Sequence, residues 1–406
     1  MKNHTLHWAL ACALALSFAE RAAAADAPAT FEDAFKQGKV SLNVRARYEG
    51  VEQTALKDGD AYTIRTRLGF TTAPVQGLKA MVEFENIASP DGDKYSQAGI
   101  NPGGAGHAVV ADPLGSEINQ AWLSYTTGKT TATFGRQRIV YDNARFIGDV
   151  GWRQNMQTFD GFSLQDKTLD NLTLNYAYLY RIERVFGDKS PQGRWNSDSH
   201  LFNASYSGFK AGTITAYTYL LNFNNAAIQS TATYGLSFAG AQAVNKDFKI
   251  TYRAEAATQS DYGHSTLNYT ASYYTGELGV AGKPGALAFG YEVLGSDGGI
   301  SFRTPLATLH AFNGWDDLFL TTPANGLRDT YVKVAASLPG DVSFLGFYHD
   351  FAADRLGADY GTEIDLQLSR KFGKRVTGLV KYAKFDRDST AFADVKKIWV
   401  QVEFAY

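Results

Sequence analysis

The sequence predicts an all-β fold, a transmembrane antiparallel up-and-down β-barrel of about 18 strands. Three observations support this prediction. The chain of 406 residues ends in an amphipathic stretch that closes on an aromatic ring, alternating segments recur along nearly its whole length, and long connections take turns with short ones. A barrel of this kind has short periplasmic turns at one end and long extracellular loops at the other.

The C-terminal stretch, residues 396–406, has two chemically different faces. Successive side chains of a β-strand point to opposite faces. One parity is apolar and carries Ile398, Val400, Val402, Phe404 and Tyr406. The other is mostly polar and carries Lys397, Trp399, Gln401, Glu403 and Ala405. One face therefore suits hydrocarbon, which favours the closing strand of a bacterial outer-membrane barrel over its alternative, an edge strand of a soluble sheet.

Similar segments of about 8–12 residues recur from Lys39 to the end of the chain. The clearest lie at 40–49, 62–71, 79–85, 172–181, 248–255 and 363–368, whereas the parity is ambiguous at 331–336 and 342–351. Aromatic residues make up 14% of the chain, yet no long apolar run follows its N-terminus. Alternating barrel strands produce this combination, because each strand is apolar on one face only.

The connections between these segments alternate in length. The long ones are 51–59, 89–116, 139–158, 182–199 and 295–326, and the short ones include 73–77, 128–129, 167–170, 339–340 and 373–374. Gly128, Gly340 and Gly373 supply backbone that tolerates the positive φ of tight turns. A soluble sandwich has no physical reason to alternate in this way, so the pattern favours the membrane barrel.

The chain divides into a signal peptide (1–25), a periplasmic N-terminal lead-in (26–38) and the outer-membrane barrel (39–406). The first segment carries Lys2, an apolar stretch too short to span a bilayer and a run of alanines before residue 26. The only cysteine, Cys12, lies within it, so cleavage leaves no thiol for a disulfide, a metal site or a nucleophile. The formal net charge of −2 is too balanced for a nucleic-acid binder.

Basic side chains fall on the parity that faces the lumen. Arg45, Arg47, Arg65 and Arg67 do so in the first two strands, Lys79 follows in the third, and Arg181 opposes a row of tyrosines later in the chain. Facing lipid, each Arg or Lys costs about 2–4 kcal/mol at the bilayer midplane. Two interpretations stay open. The arginines attract anions into the pore, or they form a stiffening salt-bridge network with Glu83, Glu85, Glu255, Glu363 and Asp365.

A second basic region begins at Arg136 and Arg138, which share parity with Phe134 and would point at lipid under strict alternation. Either Gly135 marks a bulge or the strand has already reached the rim. The connection that follows contains Arg145 and Arg153 and is bounded by two strands. It either folds into the lumen as a constriction or remains an ordinary outer loop.

This region carries a family resemblance. The segments GRQR, DNARFIG, WRQN and TFDG, in that order between residues 135 and 161, resemble the alginate-export (AlgE-like) outer-membrane family, as does the loop at 301–332. The resemblance implies a monomeric 18-stranded barrel with an electropositive, arginine-lined lumen narrowed by infolded loops. It implies a pore-lining role for Arg136, Arg138, Arg145 and Arg153. The chain is shorter than the dedicated alginate exporter, so it resembles a shorter member with trimmed outer loops.

The sequence therefore predicts an outer-membrane channel that passes an anionic or polyhydroxylated solute, such as the polyuronate alginate, by diffusion. The alternative is a structural or adhesive barrel with a plugged lumen. We expect no catalytic residue and no cofactor. We also expect no metal ion, because Asp91 and Asp93 lack the spacing of an EF-hand calcium site. The expected partners are outer-membrane lipid, the barrel-assembly machinery through the C-terminal strand, and an anionic or sugar solute, with no nucleic acid. We expect a monomer in the outer membrane of a Gram-negative bacterium.

Overall fold

The computed structural model describes residues 30–406, so the predicted signal peptide lies outside the described residues. The lead-in contains a short helix, α1 (Phe31–Lys36), whose N-cap Thr30 accepts a hydrogen bond from the backbone N–H of Asp33 at 3.1 Å. The helix rests on the periplasmic end of the barrel, where Phe35 stacks on Phe70. Within 30–406, no helix has the length and apolar character to cross a bilayer.

The barrel wall consists of 18 strands in one sheet. They are β1 (Lys39–Gln53), β2 (Gly59–Thr71), β3 (Leu78–Ala88), β4 (Gly115–Thr127), β5 (Thr130–Gln137), β6 (Thr158–Asp166), β7 (Leu172–Glu183), β8 (Arg194–Phe209), β9 (Gly212–Leu221), β10 (Thr231–Ala243), β11 (Phe248–Asp261), β12 (Thr270–Gly282), β13 (Gly285–Leu294), β16 (Leu327–Leu338), β17 (Val342–Ala352), β18 (Asp359–Phe372), β19 (Val376–Arg387) and β20 (Val395–Ala405). A small hairpin, β14 (Ser296–Asp297) and β15 (Ile300–Ser301), lies in the connection after β13. Short 3-10 turns occupy Pro102–Gly104, Ala227–Gln229 and Leu309–Ala311.

Each barrel strand pairs antiparallel with the next, and β20 closes the circle on β1. In that last pairing Arg45 lies opposite Glu403 and Glu49 lies opposite Trp399. Tyr406 extends the closure, because its backbone N–H donates to the carbonyl of Leu42 at 2.8 Å. The predicted 18-stranded up-and-down barrel is confirmed.

The connections alternate as predicted. One end of the barrel carries tight turns such as 128–129, 210–211 and 283–284, and the other carries the long loops 89–114, 138–157 and 295–326. Gly128, Gly340 and Gly373 all adopt positive φ in their turns. The tight turns mark the periplasmic end of the barrel, and the long loops mark its extracellular end.

The two faces of the wall differ as the parity predicted. Outward residues are apolar and exposed, as at Leu278 (62%) and Val402 (53%), whereas Trp399 on the inward face is fully buried. The main hydrophobic core lies inside the barrel rather than between layers. It joins inward side chains of the wall to Phe146, Ile147, Phe302 and Leu306 from the two longest inward loops.

These two loops fold into the lumen as one unit. Ile147 and Leu306 form a parallel β-bridge, and the N–H of Gly148 donates to the carbonyl of Leu306 at 2.8 Å. The N–H of Thr308 donates to the carbonyl of Ala144 at 3.0 Å. We call the infolded segments 138–157 and 295–326 together the plug.

Candidate functional site: the constriction of the lumen

Four arginines on the inward faces of β1 and β2 form what we call the arginine wall: Arg45, Arg47, Arg65 and Arg67. Arg45 and Arg65 lie directly opposite each other in the register. Like charges in that position repel, and Glu403 of β20 moderates the repulsion. It accepts a hydrogen bond from Nε of Arg45 at 3.1 Å and one from Nη2 of Arg65 at 3.3 Å.

The arginine wall holds the tip of the plug, residues 151–154, mostly through backbone carbonyls. Arg45 donates to the carbonyls of Gly151 and Trp152, both at 3.1 Å. Arg47 donates to the carbonyl of Trp152 at 2.7 Å and lies over its indole ring. Arg67, which also pairs with Glu85, donates to the carbonyl of Gln154 at 3.1 Å. The lumen arginines are therefore hydrogen-bond anchors of the constriction. Of the acidic residues predicted as their network partners, Glu85 pairs with Arg67. The attraction of anions by these arginines stays a prediction.

Arg153 at the plug tip reaches into a carboxylate cluster. It forms a two-pronged pair with Glu49 of β1, with both N···O distances at 3.0 Å. Asp112 lies at 3.6 Å and Asp317 at 3.4 Å. Burial opposes its charge, but Glu49, Asp112 and Asp317 together raise the pKa of Arg153. A planar guanidinium suits this fork geometry, in which several carboxylates share one cation.

Asp317 joins the two loops of the plug to the wall. It accepts from Lys397 of β20 at 3.0 Å and from Nδ1 of His310 at 2.8 Å, besides its contact with Arg153. Burial opposes its ionisation, yet Lys397, His310 and Arg153 lower the pKa of Asp317 well below its usual range. Burial, followed by the nearby Lys381, lowers the pKa of His310 to about 3. His310 is therefore neutral, with Nδ1 donating to Asp317 and Nε2 accepting from the Lys381 ammonium at 2.7 Å.

Lys381 of β19 lies in an aromatic cage. Its Nζ is 3.4 Å from the ring centre of Trp315, 4.3 Å from that of Trp152 and 5.4 Å from that of Trp399. Trp152 in turn stacks flat on His310 at 4.6 Å. These ring contacts of Lys381 hold both plug loops against β19 and β20.

Two carboxylates of β18 hold the backbone of the second plug loop. Glu363 accepts from the N–H of Asp316 at 2.7 Å, and Asp365 accepts from the N–H of Trp315 at 3.2 Å. Gly314 has φ +85°, and a Cβ there would lie 2.2 Å from Oε2 of Glu363. Burial, together with Glu363, raises the pKa of Asp316 to about 9.

Arg145 anchors the first plug loop on the opposite side of the lumen. It pairs with Glu292 of β13 at 2.7 Å and donates to Asn313 of the second loop at 3.0 Å. Tyr273 also donates to Glu292, at 2.7 Å. Burial opposes the charge, but Glu292 and Tyr273 raise the pKa of Arg145. Arg138 differs, because its side chain is 50% exposed and pairs with Asp149 of its own loop.

Two sequence-predicted site residues do not face the lumen. Arg136 stays in register with Ala121 and keeps the outward parity of Phe134, so β5 reaches its end there and Gly135 makes no bulge. Arg181 was predicted inward, but a register shift between Leu179 and Arg181 reverses the parity of β7. Arg136 pairs with Asp160 and Glu183, and Arg181 lies 3.7 Å from Asp160. These residues form a largely buried ion-paired cluster at the extracellular ends of β5, β6 and β7, apart from the arginine wall.

Lys79 keeps its predicted lumen-facing parity at the periplasmic end of β3, opposite Ser124. It is exposed, and its ammonium lies 5.9 Å from the ring centre of Trp122. Lys79 therefore belongs to the wide periplasmic part of the lumen and not to the constriction.

Sequence analysis missed several residues of the constriction. Glu49 and Lys397 lie on inward parities, and that parity was the available signal. Two further residues showed no sequence pattern that would have marked them as part of the constriction. They are Asp112, which faces Arg47 and Arg153, and Lys381, which lies at the centre of the aromatic cage. Within the described residues, no group of three or more His, Cys, Asp or Glu side chains has the arrangement of a metal site.

Among known protein families, the one described as alginate export matches residues 38–306 of this chain. This span is more than half of the chain. The chain belongs to the alginate-export family. Comparison with curated protein sequences gives no significant match. The matched span of this alginate-export barrel includes β1 to β13 and the first plug loop.

Solved structures agree on the fold. OccK9 (OpdG) of Pseudomonas aeruginosa superposes with a TM-score of 0.73 at 14% identity, covering 92% of this chain and 100% of that one. OpdK of the same organism, solved with vanillate, gives 0.72 at 15% identity over 92% and 99%. OccAB3 of Acinetobacter baumannii gives 0.73 at 13% identity over 91% and 99%. The alginate-export barrel is a channel protein of the Gram-negative outer membrane with the fold of a porin, and it is not an enzyme.

Proposed function

We propose that this channel passes solutes that carry carboxylates, and that Arg45 and Arg65 make its selective contact. The observation that carries the proposal is the state of Arg65. Its side chain is only 1% exposed, it faces Arg45 across the β1–β2 pair, and its Nε and Nη1 have no hydrogen-bond partner within the described chain. Buried donors without partners are costly, and a carboxylate supplies the oxygens that they lack.

The chemistry of the arginine wall favours this class of solute. A guanidinium offers a rigid fork of N–H donors that matches the two oxygens of a carboxylate. Polyuronates such as alginate carry one carboxylate on each sugar ring, which would let successive rings move from one arginine to the next. Vanillate, named with the neighbour OpdK, is also a carboxylate. A neutral polyhydroxylated solute would find fewer charge-assisted contacts at this layer.

The carbonyls of the plug tip occupy the donors that a solute would use. Arg45, Arg47 and Arg67 each bond a neutral backbone carbonyl of residues 151–154. Hydrogen bonds between two charged groups are roughly twice as strong as neutral ones, so an arriving carboxylate would compete with the tip for the arginines. Passage would then couple solute binding to displacement of the tip.

The test is single-channel current in a planar bilayer under a salt gradient, with Arg65→Gln and Arg65→Lys compared. We expect Arg65→Gln to lower the anion-to-cation permeability ratio several-fold and to remove block by galacturonate oligomers. Arg65→Lys should keep most of the ratio but weaken the block, because an ammonium has no fork. Lys129→Gln, in an exposed periplasmic turn, is the matched control for lost charge.

Three outcomes would count against the proposal. They are a cation-selective wild-type channel, an unaltered permeability ratio in Arg65→Gln, or equal block by neutral oligosaccharides of the same length. The last result would favour a polyhydroxylated solute. An absence of current in every variant would favour a closed, structural barrel.

We also propose that the protein acts as a monomer whose β20 is recognised by the barrel-assembly machinery. The strand closes the sheet, and the Tyr406 ring at its end is 63% exposed and lies 4.3 Å from the guanidinium of Arg375. Light scattering of the purified barrel should give the mass of one chain. Removal of Tyr406 should lower the yield of folded, heat-modifiable barrel in cells, and an unchanged yield would contradict this role.

A further inference from the structure

A wide bay opens at the periplasmic end of the lumen, on the wall formed by β10 to β13, β16 and β17. Its volume is about 610 Å³. The inward side chains that line it are small: Ala243, Ala281, Ala286, Ala335, Ser337 and Ser343. The bay is wide because alanine and serine replace the large inward side chains found nearer the extracellular end.

Three lysines border the bay. Lys249 lies on the inward face of β11, opposite Ala243 and Ala281, and Lys246 and Lys283 lie in the neighbouring periplasmic turns. All three are exposed, and Asp247 is the one carboxylate among the lining residues of the bay. The bay therefore has an excess of positive charge with ammonium groups free to move towards a solute.

The bay is separate from the arginine wall. In the closed circle of 18 strands, β10 and β11 lie across the barrel from β1 and β2. The plug fills the lumen nearer the extracellular end, where Phe146, Phe302 and Leu306 pack in the core. A solute reaches the bay from the periplasm without moving the plug.

We propose that this bay is a second anion-binding site, in which Lys246, Lys249 and Lys283 receive carboxylate-bearing solutes from the periplasmic side before they reach the arginines. The choice of carboxylate as the anion rests on the proposed function, whereas the site itself does not depend on an open plug. Small inward residues leave room for a sugar ring, and three mobile ammonium groups suit a chain of charges better than one fixed fork does. Charged rims of this kind raise association rates about 10-fold or more.

The first experiment uses side-specific block of the full-length channel. Galacturonate oligomers are added to one side of an oriented bilayer, and the triple variant Lys246→Gln, Lys249→Gln, Lys283→Gln is compared with Lys129→Gln, Lys167→Gln, Lys210→Gln. The control triple removes equal charge from exposed turns at the same end of the barrel. We expect the bay triple to lower the blocking rate from the periplasmic side about 10-fold, with no change from the extracellular side. Equal effects of the two triples, or an equal loss from both sides, would overturn the proposal.

The second experiment needs no current. The folded barrel is incubated with galacturonate trimer and a water-soluble carbodiimide, which couples the carboxylate to a nearby lysine amine, and the modified lysines are mapped by mass spectrometry. We expect coupling at Lys246, Lys249 and Lys283 to exceed that at Lys129, Lys167 and Lys210 several-fold in wild type and in Arg65→Gln alike. Uniform coupling would overturn the bay. Selective coupling together with unchanged selectivity of Arg65→Gln would overturn the arginine contact alone and leave the bay standing.

Discussion

The plug meets the two sides of the lumen through different chemistry. On the side of β1, β2, β19 and β20 its tip is held by guanidinium, ammonium and carboxylate groups centred on Arg153 and Asp317. On the side of β7 to β13 the ion pairs Arg145–Glu292 and Asp142–Arg253 lie beside a larger apolar contact, with Phe146 against Tyr217 at 5.1 Å and Phe302 against Tyr273 at 5.5 Å. We call these the ionic side and the apolar side.

The difference indicates which part of the plug moves. Apolar burial has no competitor in water, and each large ring contributes several kcal/mol of packing. Ionic contacts can be exchanged for contacts with a charged solute, because the solute supplies the same groups. The apolar side is therefore the fixed anchor, and the ionic side is the releasable latch.

Removal of an anchor ring should produce the largest effect. Phe302→Ala deletes a fully buried ring, and such a truncation costs about 3–5 kcal/mol. We expect the plug to detach and the barrel to conduct steadily with little selectivity between ions. Single-channel conductance measures this, with Phe289→Ala as control because its ring is 56% exposed on the lipid face. A closed, selective Phe302→Ala channel would show that the apolar side is not the anchor.

Release of the latch should produce the second largest effect. Asp317→Asn leaves Lys397, Arg153 and His310 without their shared carboxylate, and breaking a buried ion pair costs about 3 kcal/mol or more. We expect the open fraction of single-channel records to rise about 100-fold or more, while anion selectivity persists because the anchor and the arginine wall remain.

Arg153→Gln provides the matching half of this test. If Arg153 and Asp317 act as one latch, the double variant should open little more than either single variant. Strictly additive effects would mean that the two residues hold the plug independently.

The sequence was sufficient for the wall and insufficient for the plug. Period-2 alternation encodes which face a strand residue occupies, so parity alone assigns Arg45, Arg47, Arg65 and Arg67 to one face of the wall, and their contact with solutes stays a prediction. Arg181 failed because a bulge adds one residue and reverses parity without a local signal. The contacts of Asp112, Lys381 and Asp317 join loops and strands far apart in the chain, and only the closed barrel brings them together. The family resemblance predicted infolded loops, but not which carboxylates bind the arginines of those loops.

The latch should also respond to pH, with a smaller effect than its mutation. Asp316 has a pKa raised to about 9 in the plugged state, by burial and by Glu363, against an ordinary value of 3.8. Between pH 7 and 9 the plugged state keeps this proton, whereas a released loop loses it, so plugging weakens as pH rises. Asp317 is ionised in both states throughout this window, and His310 contributes little because even its ordinary pKa of 6.5 in a released loop lies below pH 7.

We expect the open fraction to rise by at most about tenfold per pH unit from pH 7 to 9. Asp316→Asn should flatten the dependence, since the amide does not titrate. Single-channel records over this range decide the matter, and a wild-type open fraction that falls with rising pH would contradict the assignment.

The smallest effect should come from Lys79→Gln. Lys79 faces the lumen but is exposed at its periplasmic end, and its cation contact with Trp122 is long, at 5.9 Å. Charges in open solvent are screened within about 8–10 Å at physiological salt, so we expect the anion-to-cation permeability ratio to fall less than twofold. Lys79 faces the lumen as the arginines do, but it is exposed and they are largely buried. This variant therefore tests whether selectivity depends on the burial of a positive charge or only on its presence in the lumen. A loss as large as that of Arg65→Gln would mean that selectivity follows the total charge of the lumen, and the constriction would then lose its special role.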